Sequence, residues 1–250
     1  MNEAADDQAA AAQAADAKAA DAKALAPTGT LRFGLVEAPI AGVFFVAPDA
    51  EGRPQGTTAQ LAADLARHLG LPLEPVVFPN SGECMEALVA SRIDAGFMPV
   101  DEYRRERVSF GPGYFDLEST YMVSAASGIA TLAEVDRPSV RVVGIAGTTT
   151  IRAATRTLSH TVPAPVRSAE EAFALLRDNK ADAVALSRDS LEQALPDMPG
   201  TRITPGGFQH MPVGVAVPRG NTAGLAVVTT WLEGAKADGT VGQIVSGGQR

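Results

Sequence analysis

The chain has 250 residues, a net charge of −8 from 29 acidic and 21 basic side chains, and one cysteine. The acidic balance excludes an electrostatic grip on nucleic acid or on an anionic membrane. One cysteine excludes a disulfide framework or a cysteine-based zinc cluster, and no run approaches the ~18 apolar residues of a membrane span.

Residues 1–28 form an alanine-rich segment broken by Glu3, Asp6, Asp7, Asp16, Lys18, Asp21 and Lys23. Alanine favours helix but buries little surface, so a disordered or loosely helical tail is expected. The segment lacks the basic start and apolar stretch of an intact signal peptide. It carries −3 of the charge and leaves −5 for the rest.

From Gly29 onward, short apolar runs alternate with helical periodicity. Residues 31–36 read as a strand. Residues 58–69 read as a helix with Leu61, Leu65 and Leu69 on one face, Thr57 or Thr58 as its cap and Gly70 as its stop. A strand at 73–78, a helix at 83–91 and a short strand at 95–100 follow. A break rich in Gly, Pro and Tyr at 109–115 leads into an extended run at 120–126. Strand and helix resume at 141–145 and 149–158. Residues 168–179 form a helix with Ser168 and Glu171 as a capping box, burying Phe173, Leu175 and Leu176. A buried strand at 183–186, a second break at 205–217 and a closing helix at 221–236 complete the chain. This βαβα order argues for parallel sheets flanked by helices. The two breaks divide the chain into three parts, and the first and third can share a lobe.

Among motifs with chemistry, there is no nucleophile elbow, phosphate loop, dinucleotide fingerprint or zinc-protease helix. His68, His160 and His210 lack metal-ligand spacing. Cys84, near a helix start with no activating partner in view, reads as a small buried side chain. Two anion-binding features stand out. Residues 146–150 (Ala-Gly-Thr-Thr-Thr) put free N–H groups and hydroxyls at a helix N-terminus, a site for a carboxylate or phosphate, though threonines there also serve as plain caps. Residues 101–107 (Asp-Glu-Tyr-Arg-Arg-Glu-Arg) follow a strand; such clusters are usually solvated, yet an arginine just past a strand's C-terminal end is placed to grip a carboxylate.

In collinear order from Gly29 to Gly248, the chain resembles the periplasmic solute-binding proteins of ABC importers, in particular their amino-acid-binding family 3 group. The resemblance rests on Thr30-Leu-Arg-Phe-Gly34, the hairpin Gly52–Gly56, Ala87–Asp94, and Arg104 followed by Val108-Ser-Phe110 and Tyr114. It continues through Gly144–Thr149, Val213–Asn221 and Ala235–Thr240. It implies an α/β fold, the two-lobed type II periplasmic-binding-protein architecture. Each lobe would be a mostly parallel sheet flanked by helices, with lobe 1 at 29–114 and 214–250, lobe 2 at 120–208, and hinge segments at 115–119 and 209–213. Ligand would bind between lobes that close by hinge bending. Arg104 matches the arginine that grips the ligand carboxylate, and Thr148 and Thr149 match the threonine turn opposite it.

Some positions depart from that pattern. The acidic residue that meets the ligand ammonium is replaced by Ser187. A polar contact five residues before the arginine is replaced by Pro99, which has neither N–H nor hydroxyl. The first-loop aromatic falls near Pro39, with Phe44 and Phe45 available as apolar walls instead. A buried ammonium without a counter-charge costs several kcal/mol, so a small organic anion without an amine is expected rather than an ordinary α-amino acid, unless Glu37 or Glu83 supplies the charge. Ser187 would contribute a hydroxyl, and His210 would reach either the cleft or the hinge surface. The expected partners are a small anionic ligand and the permease of an ABC importer, with no nucleic acid, no membrane insertion and a monomeric state. No metal, cofactor or catalytic residue is assigned. The expected location is the periplasm, with a signal removed or replaced. One alternative is a dehydratase acting on a cyclic carboxylate, with Glu37 or Glu83 as general acid; another is a ligand-sensing receptor partner.

Overall fold

The computed structural model describes residues 3–38 and 41–247. The N-terminal segment, expected as a disordered or loosely helical tail, is a helix, α1 (Glu3–Leu25). Its last turn docks: Ala22, Leu25 and Ala26 are buried, and the Asn221 side-chain amide donates to the Ala24 carbonyl at 3.1 Å.

The first lobe begins with β1 (Leu31–Val36), a small hairpin of β2 (Ala47–Pro48) and β3 (Pro54–Gln55), and α2 (Thr57–Leu69). The leucine face of α2 is buried, and Gly70 ends it in the left-handed conformation at φ 70°. Its N-cap is Gly56 at φ 138°, not a threonine. Both threonines are buried: Thr58 donates to the Phe44 carbonyl at 3.2 Å, while the Thr57 hydroxyl has no partner. β4 (Leu73–Phe78), α3 (Ser81–Val89), β5 (Ala95–Pro99) and α4 (Glu102–Arg105) follow.

β6 (Val108–Ser124) is a 17-residue strand that runs out of the first lobe into the second. The second lobe contains α5 (Leu132–Val135), β7 (Val142–Ile145), α6 (Thr149–Thr157), β8 (Ala164–Val166), α7 (Ala169–Arg177), β9 (Ala183–Ser187), α8 (Arg188–Ala194) and β10 (Thr201–Ile203). Ser168 caps α7 by accepting from the Glu171 N–H at 3.2 Å, but Glu171 reaches back to the Arg167 N–H, one residue before a strict capping box. Phe173 and Leu176 are buried and Leu175 only partly. β11 (Gln209–Pro218) returns to the first lobe, and α9 (Thr222–Ala237) and α10 (Thr240–Gly247) close it.

The main sheet of the described residues runs β4-β1-β5-β11-β6-β9-β7-β8, with β10 on the flank of β6. β4, β1 and β5 are parallel, as are β9, β7 and β8; the two sets meet through antiparallel β11 and β6. Residues 115–119 pair with residues 213–209 in register, Phe115 with Val213 through Ser119 with Gln209. One apolar cluster around Phe33, Phe97, Leu61 and Trp231 fills the first lobe. Two more, around Phe173 and Leu186 and around Tyr121 and Val142, lie in the second.

Candidate functional site

Parallel strands expose their C-terminal ends at the lobe boundary, where ligands of open α/β sheets bind. β4 ends at Phe78, and Asn80 just beyond it caps α3 by accepting from the Glu83 N–H at 2.9 Å; β5 ends at Pro99, and β7 at Ile145. Between them lies a cavity of about 20 Å³, room for about one water molecule, lined by Phe44, Phe45, Ser81, Thr148, Thr149 and Ser187 among others. Larger hollows of about 270 and 570 Å³ lie beyond it. They hold no buried unpaired charge, so the small cavity is the chemically defined site.

Arg104 adjoins this cavity and is completely buried. Asp101, the cap of α4, accepts from the Arg104 N–H at 3.0 Å and fixes the turn. The guanidinium donates to the Pro99 carbonyl at 2.9 Å, to Ser81 Oγ at 2.7 Å and, across the lobe boundary, to the Gly147 carbonyl at 3.3 Å. Its Nε has no partner, and no carboxylate among the described residues forms an ion pair with it. Burial, and then the nearby Arg152 charge, lower its pKa to about 10. It still carries a full charge at neutral pH, in surroundings that supply only neutral acceptors.

Opposite stands the N-terminus of α6. Thr148 is its cap: the hydroxyl donates to the Ile145 carbonyl at 2.7 Å and accepts from the Ile151 N–H at 3.2 Å. That hydroxyl is committed to the turn, so what Thr148 offers is a rigid helix start. The amides of Thr149 and Thr150, in the first turn of α6, have no intrahelical acceptor and lie at the positive end of its dipole. Thr150, the last residue of the 146–150 segment and one that the family resemblance did not name, lines the cavity and hydrogen-bonds Ser119 at 3.2 Å.

Phe44 and Phe45 form the apolar wall, packed edge to face at 4.8 Å. Ser187 lines the cavity and bonds Ser190 at 2.7 Å. Three expected contributors lie elsewhere. Glu37 is exposed at the end of β1 and faces two surface hollows. Glu83 is exposed on α3, where its carboxylate accepts from the Asn80 amide at 2.9 Å. Neither lines the cavity. His210 is exposed and sits opposite Glu118 in the β11–β6 ladder. The first-loop position near Pro39 lies outside the described residues. Ser81 and Asn80 were not singled out; their signal is a capping residue directly after a parallel strand.

The lobes are closed on one another. A side chain at Gly82 would come within 3.0 Å of the Gly147 backbone, so the two turns meet glycine to glycine. Asp101 Oδ2 accepts from Arg152 Nε at 2.8 Å across the boundary, and the Arg152 guanidinium stacks 4.9 Å above the Tyr103 ring.

Residues 43–247 match the model of the bacterial extracellular solute-binding proteins, family 3. The chain belongs to that family. No curated protein matches it in sequence. Among solved structures, it resembles the ancestral amino acid-binding protein AncCDT-1, a precursor of cyclohexadienyl dehydratase, at 25% identity and TM-score 0.79, covering 90% of this chain and 97% of that one. An ancestral arginine-binding protein bound to glutamine is 26% identical with TM-score 0.79, covering 88% and 97%. A mutant of the arginine-binding protein ArgBP from T. maritima, 23% identical with TM-score 0.80, covers 92% and 98% and shares the fold. The family 3 chain is thus an α/β two-lobed type II binding protein, as the sequence resemblance implied.

Proposed function

We propose that this family 3 protein captures a small organic carboxylate between its lobes and delivers it to the membrane permease of an ABC importer, working in the periplasm. The observation that carries this reading is Arg104: fully buried, lacking a carboxylate partner, with Nε unsatisfied. An isolated buried charge costs several kcal/mol, and a ligand carboxylate offsets that cost by accepting bidentate bonds. The open amides of α6 supply a second grip from the other lobe, so the ligand favours the closed state. The hinge is proposed at 115–119 and 209–213, where β6 and β11 pair side by side.

The role is binding rather than turnover. The dehydratase alternative named Glu37 or Glu83 as general acid, and both stand outside the cavity. Titration calorimetry against small carboxylates tests the reading. Arg104→Ala is expected to weaken the best ligand by about 100-fold or more, in line with the ~1.5–3 kcal/mol of a hydrogen bond to a charged group, made twice. Unchanged affinity in that variant would sink the assignment.

A further inference from the structure

A second charged group is left unpaired where the lobes meet. Asp189 lies in the first turn of α8, two residues beyond Ser187. The residue is half-buried, yet its Oδ2 is sealed from solvent and has no hydrogen-bond partner. α8 belongs to the second lobe, anchored by Leu191 and Ala194. It is also laid against the first lobe: a side chain at Gly42 would come within 2.7 Å of the Gln193 amide. Tyr114, packed on the first-lobe core and donating to the Val43 carbonyl at 2.6 Å, is pushed above its ordinary pKa by burial and by the Asp189 charge. Asp189 is therefore held beside the 42–45 segment that carries the phenylalanine wall.

No cation among the described residues answers it. Arg188 is spent on Glu118 at 2.6 Å, on the Gly206 carbonyl at 2.9 Å and on Glu192, 3.7 Å away. On β10, packed against α8, Arg202 donates to the Ile129 carbonyl, and Asp182, just before β9, is paired with Arg141. Asp116, Asp197 and Glu192 add only negative charge to these elements. Burial pushes the Asp189 carboxyl above its ordinary value, outweighing hydrogen bonds from Ser187 and the Ser190 N–H. Arg104 and Asp189 thus stand unpaired on opposite lobes. The partners of Arg104, Ser81 and Pro99, line the same cavity as Ser187, the neighbour of Asp189.

We propose that Asp189 makes closure of the cleft conditional on one positive charge. A carboxylate ligand that carries a cationic group supplies that charge itself, and one that lacks it is bound together with a proton on Asp189. The inference rests on the cleft reading above. In an open cleft water solvates Asp189 and the carboxylate is ionised at neutral pH; closure seals it without a partner, which an ionised carboxylate resists. Between the open and the closed pKa, closing takes up a proton from solvent. Affinity for an amine-free carboxylate then falls as pH rises, by up to about tenfold per pH unit. An amine-bearing ligand of the same skeleton shows no such fall.

Calorimetry with three same-skeleton pairs tests this: lactate and alanine, malate and aspartate, 2-hydroxyglutarate and glutamate. Each is titrated across neutral pH in buffers of different ionisation enthalpy, into the wild-type chain and Asp189→Asn. The expected result is proton uptake and a falling affinity with pH for a bound hydroxy acid, and neither for its amino acid. Asp189→Asn abolishes the uptake and the slope, and weakens only the amino acid. A hydroxy acid bound by the wild-type chain with no proton uptake and a flat pH profile would overturn the inference while leaving the cleft reading standing, and needs no variant. An unchanged slope in Asp189→Asn would also overturn it. Binding of none of the six by the wild-type chain would remove the carboxylate reading, and this inference with it.

Discussion

Arg104 shows how much a single residue reveals when its surroundings are known. Its place just beyond a strand end was legible, because the C-terminal end of a parallel strand is where a side chain reaches a ligand. Its isolation was not, since pairing depends on residues 23 and 43 positions away, Ser81 and Gly147. The same holds for Glu37 and Glu83: sequence placed them near strand and helix ends, but the direction of each side chain is a tertiary fact. Asp136 carries a pH prediction. N–H groups of His160 and Ser159, at 2.6 and 2.9 Å, hold its carboxyl down to about 2. A lowered pKa stabilises the fold above the unfolded value of about 3.9, and that stability is lost as pH falls through about 2. Asp136→Asn is therefore expected to lower stability at neutral pH and to flatten the acid-side loss. Urea unfolding at neutral and acid pH reads both.

At the scale of elements, the strands and helices were largely legible because each has its own periodicity and stop signal. β1 and β4 fall where alternating apolar runs put them, and Gly70 ends α2 as its freedom at positive φ requires. Caps were less legible. Gly56 rather than a threonine begins α2, because Thr57 and Thr58 are buried inside the helix, where Thr58 ties down the Phe44 carbonyl. The contact between the α3 start and the turn before α6 is a matter of steric clearance. Gly82→Val adds bulk where 3.0 Å is available to the Gly147 backbone. It is expected to hold the lobes apart and weaken ligand at least about tenfold, an overpacking cost of ~1–3 kcal/mol. Small-angle scattering should show no compaction on ligand addition, and the ligand-free melting temperature should stay near that of the wild-type chain. Normal compaction with normal affinity would rule the steric argument out.

For the whole molecule, the apolar cores of the two lobes are joined by two adjacent strands, β6 and β11, and the proposed hinge lies where these run together. α1 belongs to this scale. Its alanine-rich composition suggested a weak helix, but Leu25 is 1% exposed and packs in the first-lobe core with Ala22 and Ala26. Leu25→Ala is expected to cost about 2–4 kcal/mol of stability, the range for a buried leucine truncation. Because α1 packs on α2 and α9, away from the cavity, carboxylate affinity should be unchanged. Denaturant unfolding paired with calorimetry separates the two, and a loss of affinity with little loss of stability would place α1 in the binding machinery instead.

The sequence by itself determined the alternation of strands and helices, the two breaks in that alternation, and the segments that bear Arg104, Thr148 and Thr149. These follow from local periodicity, capping chemistry and the collinear motifs of a family. Only the tertiary structure decided which charges go unpaired. Whether Arg104 or Asp189 meets an opposite charge depends on long-range packing, and so does the outward direction of Glu37 and Glu83. Side-chain direction and desolvation are properties of the assembled lobes, and a linear pattern carries neither.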